Sequence, residues 1–510
     1  MKKQTFVKNA AILTLTALIL RTVGIFLRIY IAGQIGAEGM GLHALIFTVY
    51  TFASAVATAG LSLAVTRLVS EDFAAGGKAS VRCILKKALP LSLLLGCGAT
   101  VVLFFGAETI AVYWLCDARA TLSLRILSLG LPPMAISACF KGYFMARRNA
   151  KTPSDSQLLE QIIRIAAVLF LLKPMAKHGL SYACAAIVLG NAVSEFAACI
   201  YLAFGYNKDY KAISYSGSAK PQILSRLLAV FLPVAFTGHI NTALHMTENL
   251  LVPQALSRFT ADSALALSQF GMLKGMALPA LFFPASFLSA LSSLLVTEMS
   301  EYGAKNQKRS IAHTAEFTLR ITFISAVLIG GLFMAYPEEI AQLLYKESAV
   351  ALYIAYLAPI VPFMYLESIA TGLLHGLGQQ MATLKYNLAN SAVRISAVLF
   401  FVPRYGIRGF LWIMILSNLY TSLSCLHRLC KVARVQLSWR RCAILPTVCC
   451  TLALLVCHVY NRFGAGLLHM LGGMALFCAV FLLLACITGT VLPTDFASLR
   501  AVFSRTKQKQ

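Results

Sequence analysis

Residues 13–33 read LTLTALILRTVGIFLRIYIAG, an apolar stretch long enough to cross a bilayer as a helix, with Arg21 and Arg28 inside it. Seven positions apart, the two guanidinium groups project from nearly one helical face and stand about 10 Å apart along the axis. A guanidinium at the centre of hydrocarbon costs on the order of 3 kcal/mol, so both together are expected to face a polar cavity. Such a stripe suits phosphate oxygens, because guanidinium offers forked, permanently charged donors. The plainer alternative is structural, with Arg28 snorkelling to the outer surface and Arg21 paired with a carboxylate such as Glu248 or Glu367.

Other polar groups sit at similar depth. Lys274 lies in QFGMLKGMALPALFFP, where Gly271, Gly275 and Pro279 are expected to weaken or bend a helix near the charge. Its alternative is a lysine snorkelling from the helix end. Asn241, His245 and Glu248 recur at i, i+4 and i+7 and so share a face. An imidazole beside a carboxylate can couple to a proton or sodium gradient, or simply form a buried hydrogen-bond network. Glu160 and Arg164, four apart, read first as a mutually neutralising pair. The later Arg394 has Asn390 in place of that glutamate, which leaves it to meet substrate or Glu367.

The elements that must carry these groups follow from composition. The chain has 510 residues, 59% hydrophobic and only 12% charged, with a mean hydropathy of +0.75. No soluble domain of this length has that balance; the chain is an all-α polytopic membrane protein. Continuously apolar runs of helical length recur to give about 14 expected spans, rather than the period-two alternation of a barrel. The start, MKKQTFVKNAAILTLTALIL, imitates a signal peptide, but the apolar run continues past Arg21 with no convincing cleavage site, so an uncleaved first helix is expected. No loop between runs has room for a soluble catalytic domain, no P-loop is present, and the reading is not an enzyme.

Basic residues cluster in alternate connections, among them Arg82, Lys86 and Lys87, then Arg147, Arg148 and Lys151, then Arg428, Lys431 and Arg434. The positive-inside rule then puts both termini in the cytoplasm. The net charge of +25 is accounted for as a topology signal, and no nucleic-acid partner is invoked. The 14 cysteines lie mostly in apolar runs without paired spacing, so buried thiols are expected, with no metal site.

An internal repeat organises the chain. RIAAVLF at 164–170 returns as RISAVLF at 394–400, and the same shift of 230 positions aligns Pro132 with Pro362, Met134 with Met364 and Gly142 with Gly372. After a three-residue change in loop length, Gly179 and Asn191 fall on Gly406 and Asn418. The shift spans an even number of helices, so two parallel six-helix lobes are expected, with substrate near the midplane between them. The domain reading is an N-terminal lobe over 1–205, a cytoplasmic linker over 206–223, a C-terminal lobe over 224–432, and two further helices with a basic tail over 433–510.

The stretch LILRTVGIFLRIYIAGQIGAEGMGLHALIFTVYTFASAVATAGLSLAVTRLVSE resembles the opening of the stage V sporulation protein B group, within the multidrug/oligosaccharidyl-lipid/polysaccharide (MOP) exporter superfamily. SQLLEQIIRI and FGMLKGMALPALFFPASFLSALSSLLVTEMSE resemble later parts of the same group. The resemblance covers almost the whole chain. It implies two lobes with alternating access in a bacterial cytoplasmic membrane, and translocation of lipid-linked saccharide precursors, as in the lipid II flippases. It also implies that cationic residues of helices 1, 2 and 8 meet the lipid pyrophosphate. Arg21, Arg28, Arg67 and Lys274 match by position, although some relatives have arginine where Lys274 stands. No cofactor is expected beyond the membrane potential or a coupling H+ or Na+. The expected partners are the lipid-linked saccharide, membrane lipids and envelope-synthesis enzymes, around a monomer. Three rivals remain: an ion-coupled drug antiporter of the same fold, a membrane-embedded transferase, and a noncatalytic scaffold.

Overall fold

The computed structural model describes residues 2–490, apart from 59, 75–77, 213–221, 289–298, 300–301, 303–306, 436–437, 439 and 465. Residues 213–221 of the 206–223 linker and the basic tail beyond 490 therefore lie outside the described residues. Helices in order are α1 (Lys2–Thr58), α2 (Leu61–Ala74), α3 (Lys78–Thr109), α4 (Ala120–Ser128), α5 (Leu131–Ala146), α6 (Lys151–Ala176), α7 (Leu180–Ala212), α8 (Ile223–Thr260), α9 (Ser263–Phe270) and α10 (Leu278–Phe282). They continue with α11 (Lys308–Ala335), α12 (Pro337–Tyr345), α13 (Val350–Leu357), α14 (Val361–Gly376), α15 (Gln380–Ala433), α16 (Leu445–Tyr460) and α17 (Leu467–Ile487).

Among the described residues ten helical runs are long and apolar enough to cross a membrane, or eleven if the bent pair α4–α5 is one span. The difference from about 14 expected spans arises partly where chain breaks are subtle. The run Ile12–Phe73 is 62 residues long and the run Gln380–Ala433 is 54. Each crosses a glycine with non-helical dihedrals, Gly36 (φ 69°, ψ −174°) and Gly406 (φ 59°, ψ −145°). At about 1.5 Å per residue either run exceeds one hydrocarbon thickness more than twofold. The stretch 120–146 bends by 42° between α4 and α5, where Pro132 and Pro133 open α5 and cannot supply the amide donors of a continuous helix.

The repeat is visible in the helix limits. Helix α5 and helix α14 each have 16 residues and begin 230 positions apart; so do α4 and α13, within one residue of each other in length. Left-handed residues recur at the same shift, Cys116 with Lys346 and Arg148 with Gly378, and Gly179 matches Gly406 at the shortened shift.

The chain divides into two compact units, residues 1–257 with 261–271, and 258–260 with 272–510. Helix α8 thus groups with the first unit, whereas the sequence reading starts the second lobe at 224. The physical reason is packing: Leu227, Phe231 and Ala235 of α8 share a core with Leu61, Leu68, Leu85 and Tyr143. In the same unit α1 and α9 approach so closely that a Cβ at Gly41 or Gly271 would collide with the facing backbone, the small-residue contact expected where lipid gives helices no hydrophobic drive to associate. The second unit has its own core. Leu319, Phe323, Leu373 and Leu429 pack there with Cys449, Cys450, Phe477 and Phe481 of the two C-terminal helices. All 14 cysteines are free thiols.

Candidate substrate and coupling sites

Helix α1 holds the arginine stripe in its segment before Gly36. Arg21 and Arg28 are both exposed, on a helix whose other exposed residues include Leu15, Ile19 and Phe26. Beyond the kink the second segment carries His43, close enough for the charge of Arg28 to act on it. The His43 ring stands 4.5 Å from that of Phe47.

Arg67, on α2, is held by an ion pair one turn along, Nε to Glu71 Oε1 at 3.0 Å, with its side chain 64% exposed. Glu71 also meets Arg226 of α8 at 3.2 Å, and Arg226 reaches the buried Asp72 at 3.5 Å. Arg67 is therefore one end of a four-residue charge network.

Lys274 is half-buried in a π-helical turn, Gly271–Ala277, between α9 and α10. The glycines flanking it have the low helix propensity that the widened turn requires, as the sequence suggests. On α8 the expected triad is unevenly placed: Glu248 is 2% exposed, Asn241 half-buried and His245 exposed. Shared helical phase thus leaves the three at different degrees of burial.

In the second unit Glu367 of α14 is half-buried, and the charge of Arg394 acts on it. Asn390 Oδ1 accepts from Ser417 Oγ at 2.8 Å. Arg394, expected to meet substrate or Glu367, thus has that carboxylate as a neighbour. In the first unit Glu160 and Arg164 form the expected intrahelical ion pair, with side chains only 15% and 25% exposed.

That pair belongs to a larger polar core that the sequence did not reveal. Lys141 Nζ of α5 lies 4.0 Å from Glu160 Oε2, and Arg164 also donates to Gln161 Oε1 at 3.2 Å. Glu195 of α7 is 6% exposed, with the charges of Glu160, Lys141 and Arg164 acting on it. Asn191 Nδ2 donates to the Tyr50 hydroxyl at 3.4 Å. These residues come from four helices with no common spacing, so no sequence motif joins them. The available signal was charge inside apolar runs, which Lys141 and Glu195 share with Arg21.

Repeated helical units, long apolar runs broken at glycine and proline, and charged side chains within those runs define a polytopic helical membrane protein. The chain belongs to the family of polysaccharide biosynthesis proteins, whose profile matches residues 6–287. It is 26% identical over 494 residues to stage V sporulation protein B of Bacillus subtilis (strain 168), covering 95% of each chain. Among solved structures it resembles the lipid II flippase MurJ in an inward closed conformation, with a TM-score of 0.70 at 15% identity, over 93% of this chain and 98% of that one. A multidrug resistance MATE family transporter of the MOP superfamily, inward-facing, matches with a TM-score of 0.65 at 14% identity, over 82% of this chain and 99% of the other. Family and fold together make the chain a polysaccharide biosynthesis protein with a fold like that of the MurJ and MATE structures.

Proposed function

We propose that this chain is a flippase that moves a lipid-linked saccharide precursor of the cell envelope, anchored by undecaprenyl pyrophosphate, across the bacterial cytoplasmic membrane by alternating access. The observation that carries the reading is the exposed pair Arg21 and Arg28 on an apolar helix. Two permanent cations about 10 Å apart along an axis match a pyrophosphate and a neighbouring polar sugar better than they match a lipophilic cation. Lys274 adds a point charge on a π-helical turn, a kind of turn that frequently marks functional sites. Arg67 and Arg394 take supporting roles, the first in drawing the anionic head group to the cytoplasmic end of α2 and the second beside Glu367. Both termini lie in the cytoplasm, and the chain works as a monomer without nucleic acid.

Membrane potential supplies part of the drive, about 2.3 kcal/mol per elementary charge per 100 mV. Asn241, His245 and Glu248 are the coupling candidates on α8 for H+ or Na+.

The likeness to a multidrug transporter favours one other reading, an ion-coupled antiporter of cationic drugs. The test is binding of undecaprenyl-pyrophosphate-linked saccharide to purified wild type, Arg21→Ala and Arg28→Ala. Selective binding lost in both variants supports the flippase. Drug extrusion that survives both substitutions, with no saccharide binding in any form, supports the antiporter.

A further inference from the structure

The polar core of the first unit contains two carboxylates with unequal partners. Glu160 takes both ion pairs of the cluster, from Arg164 and, at 4.0 Å, from Lys141. Glu195 takes neither, although it is 6% exposed and feels the charge of Glu160 beside it. A buried carboxylate outside a direct ion pair is costly as an anion and is relieved by taking up a proton.

The repeat shows that the position of this carboxylate is not dictated by helix packing. Ser422 occupies the repeat position of Glu195, and Glu367 occupies that of Ser137. Both serines are buried, and the hydroxyl of each has no hydrogen-bond partner. In each unit a carboxylate thus feels the repeated arginine, the buried Glu195 of α7 beside Arg164 and the half-buried Glu367 of α14 beside Arg394, with Glu160 as a second one in the first unit. In the first unit Ser137 lies one turn before Lys141 on α5.

We propose that Glu195 is a proton-binding site of the first unit, additional to the groups on α8. The charged and titratable groups that face it are Tyr50 from α1, Lys141 from α5, Glu160 and Arg164 from α6, and Cys199 one turn along α7. Helix α4 also packs on α7 but adds no charged group acting on Glu195 among the described residues. The chemistry selects a proton over a metal cation. A sodium ion would need a shell of oxygens and would be repelled by the charges of Lys141 and Arg164 that act on Glu195, whereas a proton needs only the carboxylate. Uptake converts the Glu195 carboxylate to a carboxylic acid and raises the charge of the cluster by one, and release reverses both. The coupling of that proton to movement of cargo rests on the transport reading; its binding does not.

The test is infrared difference spectroscopy of the full chain in lipid nanodiscs as pH is stepped between acid and alkaline, in water and in deuterium oxide. Wild type is expected to show a deuterium-sensitive carbonyl band of a protonated, buried carboxyl group, and Glu195→Gln is expected to lose it. Glu195→Asp, a smaller change, should keep a shifted band and covers the case in which the glutamine variant fails to fold. A band unchanged in Glu195→Gln, or absent in wild type, overturns the proposal. Saccharide binding measured on the same samples separates the two readings, because loss of binding in wild type with the band intact contradicts the flippase and leaves the proton site standing.

Discussion

At the residue scale, the sequence announces charges by contrast with their surroundings and is silent about partners. Arg21 and Arg28 were legible because each interrupts an apolar run, and Glu160 and Arg164 because four positions make them neighbours on any helix. Lys141 and Glu195 were missed because their meeting depends on α5, α6 and α7 packing together, which no local spacing encodes. The Glu160–Arg164 pair is largely buried, so breaking it leaves an uncompensated guanidinium. Glu160→Gln is expected to destabilise the protein by about 3 kcal/mol, read as a lower melting temperature in detergent. Glu160→Gln with Arg164→Gln should recover much of that loss. A single variant as stable as wild type would show the pair to be dispensable.

At the element scale, the helices follow from apolar runs, and their breaks follow from particular residues. Gly36 and Gly406 both have positive φ with ψ near the extended limit, a region that L side chains scarcely enter. A Cβ at Gly36 would meet nothing within 4 Å, whereas one at Gly406 would come within 2.6 Å of the Phe259 ring. Gly36→Ala is therefore a measure of backbone strain alone, expected to cost about 1 to 3 kcal/mol. Gly406→Ala should cost more, and Phe259→Ala should recover the excess when combined with it. Equal losses at the two positions in thermal unfolding would refute the steric account. These breaks were only half legible: glycine is visible in sequence, but its left-handed conformation is not. The prolines at 132 and 133 signal a helix start, yet the 42° bend there also depends on how α4 meets its neighbours.

At the scale of the whole molecule, the duplicated sequence foretold duplicated structure. The common shift of 230 positions aligns helix limits and left-handed residues alike. Grouping of the helices was less legible, since α8 joins the first unit through the core it shares with α2, α3 and α5. The repeat also predicts a transplant. Moving the carboxylate as the second unit has it, Ser137→Glu with Glu195→Ser, should give a more thermostable protein than either substitution alone. A double variant no better than the worse single would mean that the two polar cores are not equivalent.

The central claim is that the arginine stripe of α1 recognises the pyrophosphate of a lipid-linked saccharide. Native mass spectrometry tests it most directly, with undecaprenyl-pyrophosphate-linked saccharide as ligand and a phospholipid of equal charge as competitor. Wild type should bind the saccharide lipid selectively, and Arg21→Ala and Arg28→Ala should each lose that selectivity. Arg28→Lys should keep only part of it, because a lysine supplies charge without the forked donors. Equal and selective binding by all of these forms would contradict the account and make the stripe structural.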